Sequence, residues 1–157
     1  MRRRLRRVSF GCMARAPRFD LPDFGAFHVT ARGVAGAPIQ ADEIDCRRFV
    51  SYLCLATKNA GWRLLAYCLM TNHFHLVVLG ERDAMSRGMH TLNGRHAQTF
   101  NTRHGRRGHL FQERFHAQVV RDDVHLASAC AYVLDNPVRA GLCADREAWL
   151  WSGGEFA

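Results

Sequence analysis

Two apolar runs separated by a short polar turn occupy the middle of the chain. Residues 62–70 (WRLLAYCLM) and 74–79 (FHLVVL) flank Thr71-Asn72. Runs of this length, rich in branched and aromatic side chains and parted by turn formers, read as two strands of an antiparallel hairpin. The longest uninterrupted apolar stretch, residues 64–70, falls far short of the ~20 residues that cross a bilayer, which sets a membrane span aside. The hairpin therefore belongs to a globular core.

The pattern on either side supplies the remaining elements. Residues 27–32 read as a short strand, ended by a turn region over 33–38. Residues 42–59 predict a helix. Asp42 can cap it, Cys46, Phe49, Val50, Leu53 and Ala56 share one apolar face, and Gly61 stops it. A second helix is predicted over 83–103, with Met85, Met89, Leu92, His96 and Phe100 at helical spacing. Gly88 and Gly94 weaken it. A basic turn at 104–108 leads into an extended stretch over 110–120. A third helix starts at Asp122 or Asp123 and runs to about Asn136, because Pro137 disfavours helical geometry just before it. Its buried stripe is Leu126, Ala129, Cys130 and Val133. The order β-α-β-β-α-β-α predicts an α+β fold, a ferredoxin-like antiparallel sheet flanked by helices.

At 157 residues the chain suits one domain, here expected over 19–157 behind a basic, poorly patterned lead-in at 1–18. Hydrophobic residues at 48% and charged residues at 23% match a globular rather than a disordered chain. The net charge of +8 is unevenly spread. Residues 1–18 hold seven arginines and no acid, with no apolar stretch of secretory type behind them. Residues 86–121 hold seven arginines against Glu113 alone, with five histidines interleaved. Arginine suits bidentate phosphate contacts, although a GC-rich genome produces the same bias toward arginine. The six cysteines form no C-x-x-C pair, so a zinc ribbon is not expected, and most of them read as small buried hydrophobes in a reducing cytoplasm.

Two groups of residues carry candidate chemistry. His73 and His75 flank Phe74 at the start of the second hairpin strand, so alternation puts both imidazoles on one face and Phe74, Leu76 and Val78 on the other. Two imidazoles at this spacing can chelate one ion, and two ordinary surface histidines have the same spacing. On the third helix, His125, Ser128, Tyr132 and Asn136 form a polar stripe, with Tyr132 and Asn136 one turn apart. Spacing alone leaves open whether that stripe faces the histidines.

Residues from about 14 to 151 resemble the REP-associated tyrosine transposases, single-tyrosine relatives of the insertion-sequence transposases that carry an HUH motif (His, hydrophobic, His). The resemblance rests on FHVTARG (27–33), GWRLLAYCLMTNHFHLVV (61–78), SRGMHTLNGRHAQTFNTRHGRRGHLFQERF (86–115) and YVLDNPVRAGL (132–142). It implies that His73 and His75 are metal ligands, that Asn136 is a third ligand, and that Tyr132, on a C-terminal helix, is the nucleophile. Mg²⁺ or Mn²⁺ is the implied ion. The implied substrate is single-stranded DNA that folds into REP-type hairpins. The basic band would then be the DNA groove, with Arg95, Arg103, Arg106, Arg107 and Arg114 as phosphate contacts.

The chain departs from the family pattern in three places. Met13-Ala14-Arg15 resembles the usual family start. Val34 stands where an asparagine is common, and the chain ends at WLWSGGEFA where relatives continue. The expected function is metal-dependent cleavage and rejoining of single-stranded DNA through a 5′-phosphotyrosine, in the cytoplasm. A non-catalytic single-stranded nucleic-acid-binding module and a water-using phosphodiesterase are the alternatives.

Overall fold

The computed structural model describes residues 20–157; the basic lead-in, with Cys12 and Met13, lies outside the described residues. Among the described residues five strands form a single sheet: β1 (Phe24–Arg32), β2 (Arg63–Leu69), β3 (His73–Glu81), β4 (His116–Val120) and β5 (Ser152–Gly153). Their order is β4-β1-β3-β2-β5, and every pairing is antiparallel. The helices are α1 (Glu43–Ala60), α2 (Arg82–Arg103), α3 (Asp123–Leu134) and the single-turn α4 (Asn136–Arg139). The first four strands with α1 and α2 make the expected ferredoxin-like arrangement.

The central pair is β1 with β3, nine residues in uninterrupted register from Phe24 opposite Glu81 to Arg32 opposite His73. Because β1 and β2 are both antiparallel to β3, they run parallel to each other, as do β3 and β4. Right-handed crossovers between such strands carry both α1 and α2 to one face. There they cover Phe27, Val29, Phe74, Leu76 and Val78. The opposite face, with Leu65, Ala66, Cys68 and Val77, is covered by Ala129, Cys130 and Val133 of α3.

Local signals explain most boundaries. Asp42 caps α1 by accepting from the Asp45 N–H at 3.1 Å, and Gly61 ends it in the left-handed conformation at φ 71°. Asp122 likewise caps α3, accepting from the His125 N–H at 2.8 Å. Four expectations are corrected. β1 starts at Phe24 rather than Phe27, since Glu81 and Gly80 provide partners for its first residues. Of the extended stretch over 110–120 only His116–Val120 is strand; Phe111 makes an isolated bridge to Gly33, and the Arg114 carbonyl is taken by Asn93 Nδ2 at 2.5 Å. The third helix stops at Leu134, and Asn136 opens α4 with Pro137 in its first turn, where the missing N–H costs nothing. Among the cysteines, Cys46, Cys68 and Cys130 are buried as expected, but Cys54 is exposed and Cys143 half-buried. The short β5 was absent from the sequence pattern. It pairs Ser152 and Gly153 with Cys68 and Tyr67.

Arg103 also departs from its expected place in a DNA groove. Its guanidinium reaches back to the start of α1, at 2.5 Å from Asp42 Oδ2 and 2.6 Å from Asp45 Oδ1. Asp45 is only 2% exposed and also meets His104 Nε2 at 2.8 Å and the Ala41 N–H at 2.9 Å. A buried carboxylate needs such partners. Burial opposes its ionisation, yet the Ala41 N–H, Arg103 and His104 hold its pKa below the usual value. The Arg103 guanidinium holds Asp42 down at about 2. Arg103 is therefore committed to the protein itself, joining the end of α2 to the start of α1.

Two measurements of stability test this packing. An added Cβ at Gly88 would lie 2.3 Å from the Trp62 ring, whereas one at Gly94 meets nothing within 4 Å. Gly94→Ala is expected to stabilise the fold by roughly 0.5–1 kcal/mol through helix propensity. Gly88→Ala should instead destabilise it by about 1–3 kcal/mol through overpacking, as read by urea unfolding. Arg103→Gln should lower the thermal midpoint at neutral pH. The stabilisation it removes is complete above the ordinary carboxylate value of 3.8 and is lost as pH falls through about 2, so the gap between variant and wild type should narrow over that window.

Candidate active site

The site lies on the α3 face of the sheet. Alternation along β3 sends Phe74, Leu76 and Val78 toward α1 and α2, and leaves His73 and His75 on the other side. The two imidazoles stand nearly perpendicular, with ring centroids 5.0 Å apart. Packing of Ala129, Cys130 and Val133 against the sheet brings the half-buried Tyr132 over them, its ring 5.7 Å from that of His75. The polar stripe on α3 thus faces the histidines at its C-terminal end. His125 and Ser128, farther up the same stripe, are exposed.

Hydrogen bonds orient both imidazoles. His73 Nδ1 lies 2.7 Å from Asn72 Oδ1. A carbonyl oxygen only accepts, so His73 Nδ1 carries the proton and its Nε2 keeps a lone pair. Asn72 is itself held in place, since its Nδ2 donates to the Gly36 carbonyl at 3.2 Å and its own carbonyl accepts from the Gly33 N–H at 2.8 Å. His75 Nδ1 lies 3.1 Å from Nε2 of His28, on the neighbouring strand β1. Burial pushes His75 down to about 3, reinforced by His28, His73 and Arg32. Burial pushes His28 to about 4, with help from His116 and His125. His73 is also lowered, by burial and then by Arg32. All three are neutral near pH 7, the form in which imidazole can bind a metal ion.

Two neutral imidazoles, those of His73 and His75, stand together at this position. Among the described residues no three His, Cys, Asp or Glu side chains come together as a metal cage. Asn136 follows Tyr132 by one turn and its Nδ2 donates to the Tyr132 carbonyl at 3.2 Å, which leaves Oδ1 for an ion. The structure does not bring Asn136 into hydrogen-bond contact with either histidine. Two imidazole nitrogens with further positions left open suit a divalent ion acting on a substrate oxygen rather than a closed structural site.

Two neighbours escaped the sequence reading. His28 touches both His75 and Tyr132, its ring 6.0 Å from the tyrosine ring. Alternation in β1 could have found it, because His28 sits between the fully buried Phe27 and Val29 and must face the other way. Arg139, on α4, places its guanidinium carbon 5.1 Å from the Tyr132 ring centroid. Seven residues is the spacing of two helical turns, but Arg139 lies beyond Asn136, the expected end of the third helix.

The basic band divides into separate environments. Arg95, Arg107 and Arg114 are exposed, Arg106 lies over the Phe100 ring at 5.6 Å, and Arg103 is the internal tie already described. Arg114 helps to line a groove of about 450 Å³ together with Ser86, Arg87, His90, Thr91 and Phe115. Arg95, on α2, lies on the opposite side of the sheet from Tyr132.

Solved structures with the same fold include a REP-associated tyrosine transposase bound to a REP hairpin. It has a TM-score of 0.66 and 17% identity, over 82% of this chain and 75% of that one. A candidate transposase from Deinococcus radiodurans aligns with a TM-score of 0.51 and 15% identity, over 74% of this chain and 93% of that one. No curated protein matches the sequence. The family model described as "Transposase IS200 like" matches residues 35–136, a span that contains His73, His75, Tyr132 and Asn136. The chain belongs to the IS200-like transposase family.

Proposed function

We propose that this transposase-family protein cleaves and rejoins single-stranded DNA in the cytoplasm, with Tyr132 as nucleophile and with REP-type hairpins as substrate. The observation that carries the reading is the meeting of Tyr132 with His75 across an otherwise apolar helix–sheet interface. Attack by the Tyr132 hydroxyl oxygen on the scissile phosphorus forms a phosphotyrosine with the 5′ phosphate of the strand that lies 3′ of the break. The phosphorus–O3′ bond breaks, the phenolic proton leaves, and the departing 3′ oxygen gains a proton. Since one phosphoester replaces another, attack by a second 3′ hydroxyl reverses the step and joins strands without ATP.

His73 and His75, with Asn136 as third ligand, would hold the Mg²⁺ or Mn²⁺. When bound, the ion supplies charge neutralisation and orientation of the scissile phosphate. Asn72 keeps the His73 ring turned with Nε2 outward. Arg139 sets a permanent positive charge against the tyrosine ring, where an incoming phosphate group would sit. A hairpin partner is supported by the fold shared with a transposase solved on a REP hairpin, and by the exposed arginines on and beside α2.

A labelled hairpin oligonucleotide incubated with the protein and Mn²⁺, then denatured, should leave label on the polypeptide when the label lies 3′ of the cut. Tyr132→Phe keeps the ring and its packing, so it should fold normally and give no adduct. Cleavage at the wild-type rate by this variant would make water the nucleophile. Hairpin binding without any cleavage by the wild-type protein would favour a binding module. His73→Ala should lose cleavage while keeping most hairpin affinity, since affinity rests on phosphate contacts.

Neutralising Arg95, Arg107 and Arg114 together should flatten the dependence of log affinity on log salt by about 0.7 per lost contact. Arg103→Gln should leave that slope unchanged.

A further inference from the structure

We propose that His28 is a positioning residue for the metal site: its Nε2 accepts a hydrogen bond from His75 Nδ1–H and thereby presents His75 Nε2 to the ion. The inference rests on the reading of His73 and His75 as metal ligands. Its basis is geometric. His28 Nε2 and His75 Nδ1 are 3.1 Å apart, and the two rings are stacked with centroids 5.3 Å apart and planes 29° from parallel. The register of β1 against β3 holds this contact, because Thr30 pairs with His75 and His28 with Val77, so the two histidines are diagonal neighbours on one face. Phe27 and Val29 are fully buried beneath the opposite face and prevent the strand from turning over.

A neutral imidazole carries one proton, on either Nδ1 or Nε2. With no acceptor at Nδ1, His75 would populate both tautomers, and the Nε2–H form cannot bind a metal through Nε2. His28 as acceptor selects the Nδ1–H form and fixes the plane of the ring. Asn72 serves His73 in the same way, through Oδ1 at 2.7 Å from Nδ1. The two proposed ligands thus have matching outer partners, one an amide and one an imidazole. Outer partners of this kind typically contribute 10–100-fold to metal affinity. His28 also packs against the Tyr132 ring, so a single side chain touches both a proposed ligand and the proposed nucleophile.

Mn²⁺ affinity of the full chain, read from the loss of the free-ion EPR signal, separates the possibilities without reference to DNA cleavage. His28→Phe, which keeps an aromatic ring beside His75 and removes the acceptor, should bind Mn²⁺ about 10–100-fold more weakly than wild type. His28→Gln, whose Oε1 can reach the place of Nε2, should recover affinity to within a few-fold of wild type. A purely space-filling role predicts the reverse order. Equal affinity in His28→Phe and wild type, or a Gln variant as weak as the Phe variant, would overturn the proposal. Long-range ¹H–¹⁵N correlation spectra of the ion-free wild-type protein give a second reading that needs no variant. His75 should appear as the Nδ1–H tautomer, and an Nε2–H tautomer would overturn the proposal. Failure of wild type to bind Mn²⁺, or unchanged binding by His73→Ala, would instead overturn the metal reading on which it rests.

Discussion

The nine-residue pairing of β1 with β3 is the constraint on which the rest of this protein depends. Side chains alternate across a strand, so a single register decides the facing of every residue in both strands at once. In the observed register Phe27, Val29, Phe74, Leu76 and Val78 point into one core, while His28, His73 and His75 point out of the other face. A slip of β3 by one residue would send His73 and His75 into the larger core and carry Phe74, Leu76 and Val78 out of it. Burial of those apolar side chains, worth about 1.5–3 kcal/mol each, therefore holds the polar site in place. The chemistry occupies positions that hydrophobic packing has already determined.

The two faces of the sheet handle polar groups in opposite ways. On the α3 side, burial keeps the histidines neutral, and each proposed ligand has a hydrogen-bond partner at Nδ1. On the α1 and α2 side, Asp45 remains ionised in spite of burial because Arg103, His104 and the Ala41 N–H surround it. The first arrangement leaves lone pairs available for a ligand. The second uses its donors and acceptors internally, and it fastens the end of α2 to the start of α1. This explains why one arginine of a basic band is structural while its exposed neighbours remain open to phosphate.

Much of the fold could be read directly from the residues. The caps at Asp42 and Asp122, the stop at Gly61 and the alternation of the hairpin are local effects, each decided within a few residues. The buried row from Met85 to Phe100 is similarly a matter of helical period. Gly88 shows where local reasoning falls short. By propensity it weakens α2, but in the fold it makes room for Trp62. The two-residue β5 has no pattern long enough to detect, and its pairing depends on the exposed edge of β2. Arg103 and Arg107 look equivalent in a basic run. Only the approach of the α1 N-terminus distinguishes them.

The sequence by itself determined the element types, the shared face of His73 and His75, the one-turn spacing of Tyr132 and Asn136, and the motifs that resemble tyrosine transposases. These properties depend on neighbours within a strand or a helix turn, where backbone geometry allows few alternatives. Tertiary structure alone decided that α3 lies across the histidine face, that Tyr132 meets His75, and that His28 joins them from β1. Those contacts link residues from 47 to 104 positions apart. They exist because right-handed crossovers place α1 and α2 on one face of the sheet and leave the other for α3 to cover.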